Sequence, residues 1–160
     1  MDEPDEEKEK RAAKLYALRL LNRQLYHSTD LAERLKKREH SQEIIRPLID
    51  ELLELGYLDD LAYVRGRVKS EFRKTHGPRW VRQKLREKGI PRDEVELVLS
   101  ETYDEEQARE QLCRIALTRY SKLDPTDFKD RQKLMAALQR RGYDFQIIQG
   151  AIEDLASERL

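Results

Sequence analysis

Arg79, Arg82 and Arg86 stand three and four residues apart just after Gly77-Pro78, the spacing that lines side chains along one stripe of a helix. A guanidinium carries a permanent positive charge and a planar fork of donors that matches a phosphate or a carboxylate. The stripe is therefore a candidate anion-binding surface. Val81 and Leu85 fall on a different, inward stripe. The segment before Gly77 adds Arg67 and Lys74 on one outer side and Lys69 and Arg73 on another. Trp80 borders the apolar stripe, where core packing, an interface anchor and a stacking platform are all open readings. From Arg65 to Arg92 there are eleven Lys or Arg against Glu71 and Glu87, and from Asp93 to Glu110 eight acids stand against Arg109 alone. A net charge of zero thus conceals a segregated surface, suited to a macromolecular partner.

Groups able to do catalysis are few. His27, His40 and His76 are isolated in sequence, no cysteine pair exists, and no His-Glu-x-x-His pattern offers zinc ligands. A Gly-x-Ser-x-Gly turn and a Gly-rich loop ending in Lys-Ser or Lys-Thr are both missing. The pair Asp59-Asp60 is explained by helix capping beside a positive helix end. Cys113 sits in the apolar rhythm of Leu112, Ile115 and Ala116, as a structural thiol does. The expectation is a chain with no enzymatic activity, no cofactor and no metal. A single cysteine fits a reducing compartment, and neither a signal peptide nor an apolar run of the ~20 residues needed to cross a bilayer is visible. A cytoplasmic location follows as an expectation.

The elements that must position these residues repeat along the chain. Leu35, Leu85 and Leu138 are each followed four residues later by Glu39, Gly89 and Gly142, then by His40, Ile90 and Tyr143. Ten residues after each leucine come Ile45, Val95 and Ile148, and fourteen after come Ile49, Leu99 and Ile152. One supersecondary unit used three times accounts for this register. With charged residues at 40% and hydrophobic ones at 38%, a thin array of small modules suits the composition better than one thick core.

The spacing predicts an all-α, elongated array of three tandem three-helix repeats, about nine helices in all. Residues 1–10 read as an acidic disordered tail that could shield the basic middle. Repeat 1 covers 11–58, the basic repeat 2 covers 59–103 and repeat 3 covers 104–160. In repeat 1 a helix is expected over Lys14–Gln24, with Leu15, Leu18 and Leu21 or Leu25 inward. Ser28 and Ser41 are the expected caps of the next two helices. Pro47 predicts that the third helix is kinked or regular only from about Arg46. In repeat 2 the stripe Leu61, Val64, Val68 and Phe72 follows Asp59-Asp60. Gly77-Pro78 opens the next helix and Gly89 closes it. Repeat 3 has helices over Glu105–Tyr120 and Thr126–Arg141, then a last one capped by Asp144. No apolar stripe is left over for a dimer, so a monomer is expected. On these residues alone, a binder of DNA and a binder of an acidic protein surface remain equally open.

A resemblance takes the reading further. Ala17-Leu18-Arg19-Leu20-Leu21-Asn22-Arg23, His27-Ser28, Gly56-Tyr57-Leu58-Asp59-Asp60, Tyr63-Val64, His76-Gly77-Pro78-Arg79 and Leu85-Arg86-Glu87-Lys88-Gly89-Ile90 follow one another in that order. This succession resembles the RecX family of bacterial recombination regulators, over about Leu15 to Leu155. The resemblance implies a curved array of three three-helix modules lying in the groove of a RecA filament on single-stranded DNA. It further implies restraint of RecA's ATP hydrolysis, strand exchange and coprotease activity, with no cofactor. The neutral net charge and acidic start of this chain lower the expectation of independent DNA binding to a weak one. Arg67, Lys69, Arg73, Lys74, Arg79, Arg82 and Arg86 then become the candidate filament- or DNA-binding residues. A helix-turn-helix-like DNA-binding regulator and a helical interaction scaffold are the alternatives. The chain departs from the family pattern at Glu39-His40, where a glycine and an aromatic are expected, so the first repeat's turn is expected to differ.

Overall fold

In the computed structural model, which describes residues 4–158, the chain is all-α with no strand among those residues. Nine helices follow in order: α1 (Asp5–Leu21), α2 (Ser28–Lys37), α3 (Gln42–Glu54), α4 (Asp60–Arg73), α5 (Pro78–Glu87), α6 (Arg92–Thr102), α7 (Glu105–Arg119), α8 (Phe128–Arg140) and α9 (Phe145–Glu158). They form tandem three-helix repeats, each with its own apolar cluster. Leu31, Leu35, Ile45, Ile49 and Leu52 centre the first. Val64, Val68, Val81, Leu85, Val95 and Leu99 make the second, and Leu112, Leu134, Leu138, Ile148 and Ile152 the third. No helix is long and apolar enough to cross a membrane among these residues.

The same turn joins the second and third helices of a repeat whether or not glycine is present. After α5, Gly89 takes φ +75°. Its N–H donates to the Arg86 carbonyl, while that of Ile90 reaches back to Leu85, the paired bonds of a Schellman ending. After α2 the non-glycine Glu39 adopts φ +66° and the bonds are equivalent, Glu39 N–H to Lys36 and His40 N–H to Leu35. The expected departure at Glu39-His40 is therefore corrected: the turn is kept and Glu39 bears the strain. The turn carries Ile45 and Ile49 of α3 into the same core as Leu35.

Four more expectations about repeat 1 are corrected. The stretch 1–10 is not all tail, because α1 begins at Asp5; Met1, Asp2 and Glu3 lie outside the described residues. Asp5, Glu6 and Glu7 occupy the first turn, where the helix end favours negative charge, and Lys10 Nζ meets Glu6 Oε1 at 2.9 Å. Glu9 accepts from the Ser41 backbone N–H at 3.4 Å, so this acidic segment packs on its own repeat and not over the basic middle. The inward face of α1 is built on Ala13 and Ala17, with Leu18 and Leu21 packed against the same core as expected but Leu15 and Leu25 exposed. Pro47 lies inside α3, which starts at Gln42 and not near Arg46. The carbonyl that Pro47 cannot bond belongs to Glu43, and both residues are exposed, so water can satisfy it.

The fourth correction concerns the joint between the first two repeats. His27, not Ser28, is the N-cap of α2, with Nδ1 accepting from the Thr29 N–H at 3.1 Å. Ser28 is the first helical residue, and its N–H and hydroxyl both donate to Asp60, at 2.7 and 2.5 Å. His27 Nε2 lies 2.6 Å from Glu94 Oε2, and its ring meets Tyr63 edge-on. The cap of one repeat is thus anchored on the first and third helices of the next. Asp59 caps α4 as expected, accepting from the Ala62 N–H at 3.0 Å.

The second joint is made by backbone. The Gly77 N–H donates to the Arg141 carbonyl at 2.7 Å and the Arg79 N–H to the Gly142 carbonyl at 3.0 Å. Free N–H groups at the start of α5 meet free carbonyls at the end of α8, so each helix end satisfies the other. The Arg141 guanidinium reaches back to Thr75 Oγ1 and to the carbonyls of Lys74 and Thr75.

A candidate anion-binding groove on the second repeat

With α5 fixed at its start by Gly77 and Pro78, its sides are set. Pro78, Val81 and Leu85 are buried inward, and Arg79, Arg82 and Arg86 are exposed outward. The turn at Gly89 then brings α6 alongside, with Val95 in the core. Between the two helices lies a groove of about 490 Å³, lined by Arg79, Arg82, Gln83, Arg86, Ile90, Arg92, Val95 and Glu96.

The arginines are not equivalent. Arg82 forms a forked pair with Glu96, Nε to Oε1 at 2.6 Å and Nη2 to Oε2 at 3.2 Å. The hydrogen bond from Arg82 holds the Glu96 carboxyl below its ordinary value, against the effect of burial. Arg79 Nε donates to Asp144 Oδ1 at 2.8 Å, so it crosses to the residue just before α9. Among the described residues Arg86 has no carboxylate partner. Arg92, exposed on the α6 side of the same groove, likewise has no carboxylate within ion-pair distance among the described residues, so these two arginines can meet an anion without breaking an internal pair.

Of the residues singled out in the sequence, the structure brings Arg79, Arg82 and Arg86 together and leaves Arg67, Lys69, Arg73 and Lys74 outside this groove. Lys69 and Arg73 are exposed on α4, Lys74 is exposed at its C-terminal cap, and Arg67 is half-buried. Lys74 Nζ lies 3.5 Å from Glu71. Arg92 and Glu96 were missed. Both sit within the first turns after Pro91, and pairing α6 against α5 would have placed them opposite the arginine stripe.

Trp80 is half-buried and belongs to the second joint. Its ring stacks on His76 at 4.1 Å between centroids, and its Nε1 donates to Glu71 Oε2 at 3.1 Å. The same oxygen lies 2.6 Å from His76 Nδ1. Burial alone would raise the Glu71 pKa, but the His76 hydrogen bond and the charge of Lys74 outweigh it and hold the carboxyl below its ordinary value. Cys113 is half-buried, with Sγ donating to the Ala151 carbonyl at 3.6 Å. Burial pushes its thiol up, as do Asp154 and Glu158, so it is a poor nucleophile.

Among the described residues, one group has the spacing of a metal site: His27, Asp60 and Glu94, with ligand atoms within 4.8 Å of one another. The hydrogen bonds argue against that use. Nδ1 of His27 accepts a backbone N–H, which in a neutral imidazole puts the ring proton on Nε2, facing Glu94. Nε2 and both oxygens of Asp60 are thus already used in hydrogen bonds between the two repeats. These residues are a structural joint.

Comparison with known proteins agrees with this architecture. Residues 59–99 match the family model described as RecX, second three-helix domain, and residues 105–152 match RecX, third three-helix domain. Regulatory protein RecX of Vibrio parahaemolyticus is 31% identical, the match covering 88% of this chain and 90% of that protein. Its Legionella pneumophila counterpart is 28% identical over 90% of this chain and 95% of its own length. The crystal structure of RecX from Lactobacillus salivarius superimposes with a TM-score of 0.84 at 22% identity, covering 92% of this chain and 97% of that one.

Proposed function

Because this chain belongs to the RecX family, we propose that it binds the RecA–single-stranded DNA filament and restrains RecA's ATP hydrolysis, strand exchange and coprotease activity. The observation that carries the reading is the arginine groove between α5 and α6, fixed to the repeats on either side by the two joints. An anion-binding surface held in a rigid array suits a partner that is itself a repeating, negatively charged assembly. The three repeats, bounded near residues 58 and 103, then engage successive protomers, so modest contacts combine through effective concentration. Occupying the filament groove obstructs the protomer motions that turnover requires. In this reading the protein is a cytoplasmic regulator with no reaction of its own, acting as a monomer.

The test is RecA ATP hydrolysis on single-stranded DNA while the protein is titrated in, beside the variants Arg86→Ala and Arg79/Arg82/Arg86→Ala. Inhibition by the parent that weakens in Arg86→Ala and weakens further in the triple variant is the expected result. Equal inhibition by all three moves the contact surface off the groove. No inhibition by a folded parent, with tight binding to a discrete duplex site, turns the reading toward a DNA-binding regulator. Inhibition should also weaken as salt rises, since charge-led docking is screened.

A further inference from the structure

Two of the groove's arginines are already answered from within. Glu96 holds Arg82 by both oxygens and Asp144 holds Arg79. Glu96 lines the surface assigned to an anionic partner and Asp144 reaches it through Arg79, an arrangement that pure affinity would not select. Each pair is solvent-exposed: the side chains of Arg82 and Glu96 are 43% and 37% accessible, those of Arg79 and Asp144 69% and 51%. Exposed pairs of this kind are weak enough for a competing anion to exchange into.

We propose that Glu96 and Asp144 are specificity-determining internal competitors, occupying Arg82 and Arg79 in the free protein until the partner's own anionic groups displace them. This rests on the filament-binding reading of the groove. A lone anion gains only Arg86 and Arg92 at no internal cost. A partner presenting several anionic groups in register engages Arg86 and Arg92 first and then exchanges for Glu96 and Asp144. The groove thereby discriminates against scattered charge in favour of an ordered array. Asp144 has a second consequence. It belongs to the third repeat, so displacing it from Arg79 changes a contact across the second joint at the moment of binding.

The experiment compares Glu96→Gln and Asp144→Asn with the parent and with Asp93→Asn. Asp93 is an exposed neighbour in the first turn of α6; its substitution makes the same charge change, while Arg79 and Arg82 keep their partners. Half-inhibitory concentration in RecA ATP hydrolysis is one readout. Anisotropy of a fluorescein-labelled oligodeoxythymidylate at low salt, a probe of anion binding that needs no filament, is the other. Glu96→Gln and Asp144→Asn should each tighten binding about two- to fivefold, the range set by the strength of exposed ion pairs, with Asp93→Asn changing it less. Unchanged or weaker binding in the first two overturns the proposal, and so does equal tightening by Asp93→Asn, which would reduce the effect to net charge. A parent that leaves the filament untouched while the variants keep this order on the oligonucleotide overturns the filament reading and upholds the competitors. Failure of the order on both probes overturns the competitors whatever the parent does.

Discussion

Gly77 and Gly142 meet backbone to backbone: a Cβ on Gly77 would lie 2.5 Å from the Gly142 carbonyl oxygen, and one on Gly142 would lie 2.5 Å from the Trp80 nitrogen. No side chain fits between the second and third repeats at this point. Gly142 also takes φ +91°. Gly142→Ala should therefore cost about 3 kcal/mol, combining left-handed strain of roughly 1–2 kcal/mol with weakened joint hydrogen bonds of about 1 kcal/mol each. Gly89→Ala has the same kind of strain (φ +75°) with nothing within 4 Å, so it should cost only about 1 kcal/mol. Urea unfolding of the two variants side by side checks the order; equal losses would mean that the joint adds nothing.

Glu39 supplies the complementary case. It is an exposed residue in the left-handed region at a position where its two counterparts are glycine. Glu39→Gly should stabilise the protein by about 1 kcal/mol, relief of backbone strain exceeding the extra freedom glycine gives the unfolded chain. The check is an upward shift in the thermal midpoint. A downward shift would show that the Glu39 side chain contributes more than its backbone costs.

The Glu71 carboxylate gives an acid limit. Its ordinary value is 4.5, and in the folded protein it stays ionised to lower pH, because the His76 and Lys74 interactions outweigh burial. As pH falls below 4.5 the unfolded chain takes up the proton first. The stability Glu71 confers is complete above that value and is lost as pH falls through the lower folded one. Unfolding midpoints in urea should fall with pH in this window, and Glu71→Gln should flatten that dependence. A slope unchanged in the variant would assign it to other carboxylates.

Tyr143 and Tyr103 set the alkaline limit. Burial pushes both hydroxyls up from 10 to about 12. Between those values the unfolded chain gives up protons that the folded chain keeps, so stability should fall as pH rises from 10 toward 12. Tyrosinate absorbance should show a component from these two hydroxyls titrating near 12 in the folded protein. In Tyr143→Phe the loss of stability across the window should be smaller.

What the sequence made legible is what each repeat does by itself. Leu35, Leu85 and Leu138 mark the same inward position because helical periodicity acts over a few residues. Gly89 and Gly142 announced their left-handed turns for the same local reason. Glu39 gave no such signal, since nothing in a glutamate predicts positive φ; only its place in the register does. The arginine stripe on α5 was visible, but not the fact that two of its members are paired. The partners of those two arginines differ in this respect. Glu96 lies one helix away, whereas Asp144 is separated from Arg79 by 65 residues and His27 from Glu94 by 67. Such contacts depend on how finished repeats stack, which no local pattern encodes. Ser28 shows the cost of local reasoning: it has the right chemistry for a cap, but Asp60 of the next repeat takes its hydroxyl and leaves the cap to His27.

That stacking has a kinetic consequence. Within a repeat the contacts close short stretches of chain, and these form early because little chain entropy stands against them. The joints close loops of about a repeat and more, so they should form after the repeats they unite. Trp80, the only tryptophan, stands at the second joint, packed on His76 and against Gly142. Its fluorescence during refolding should therefore lag behind the recovery of helical circular dichroism, timing the moment when separately formed repeats become one body.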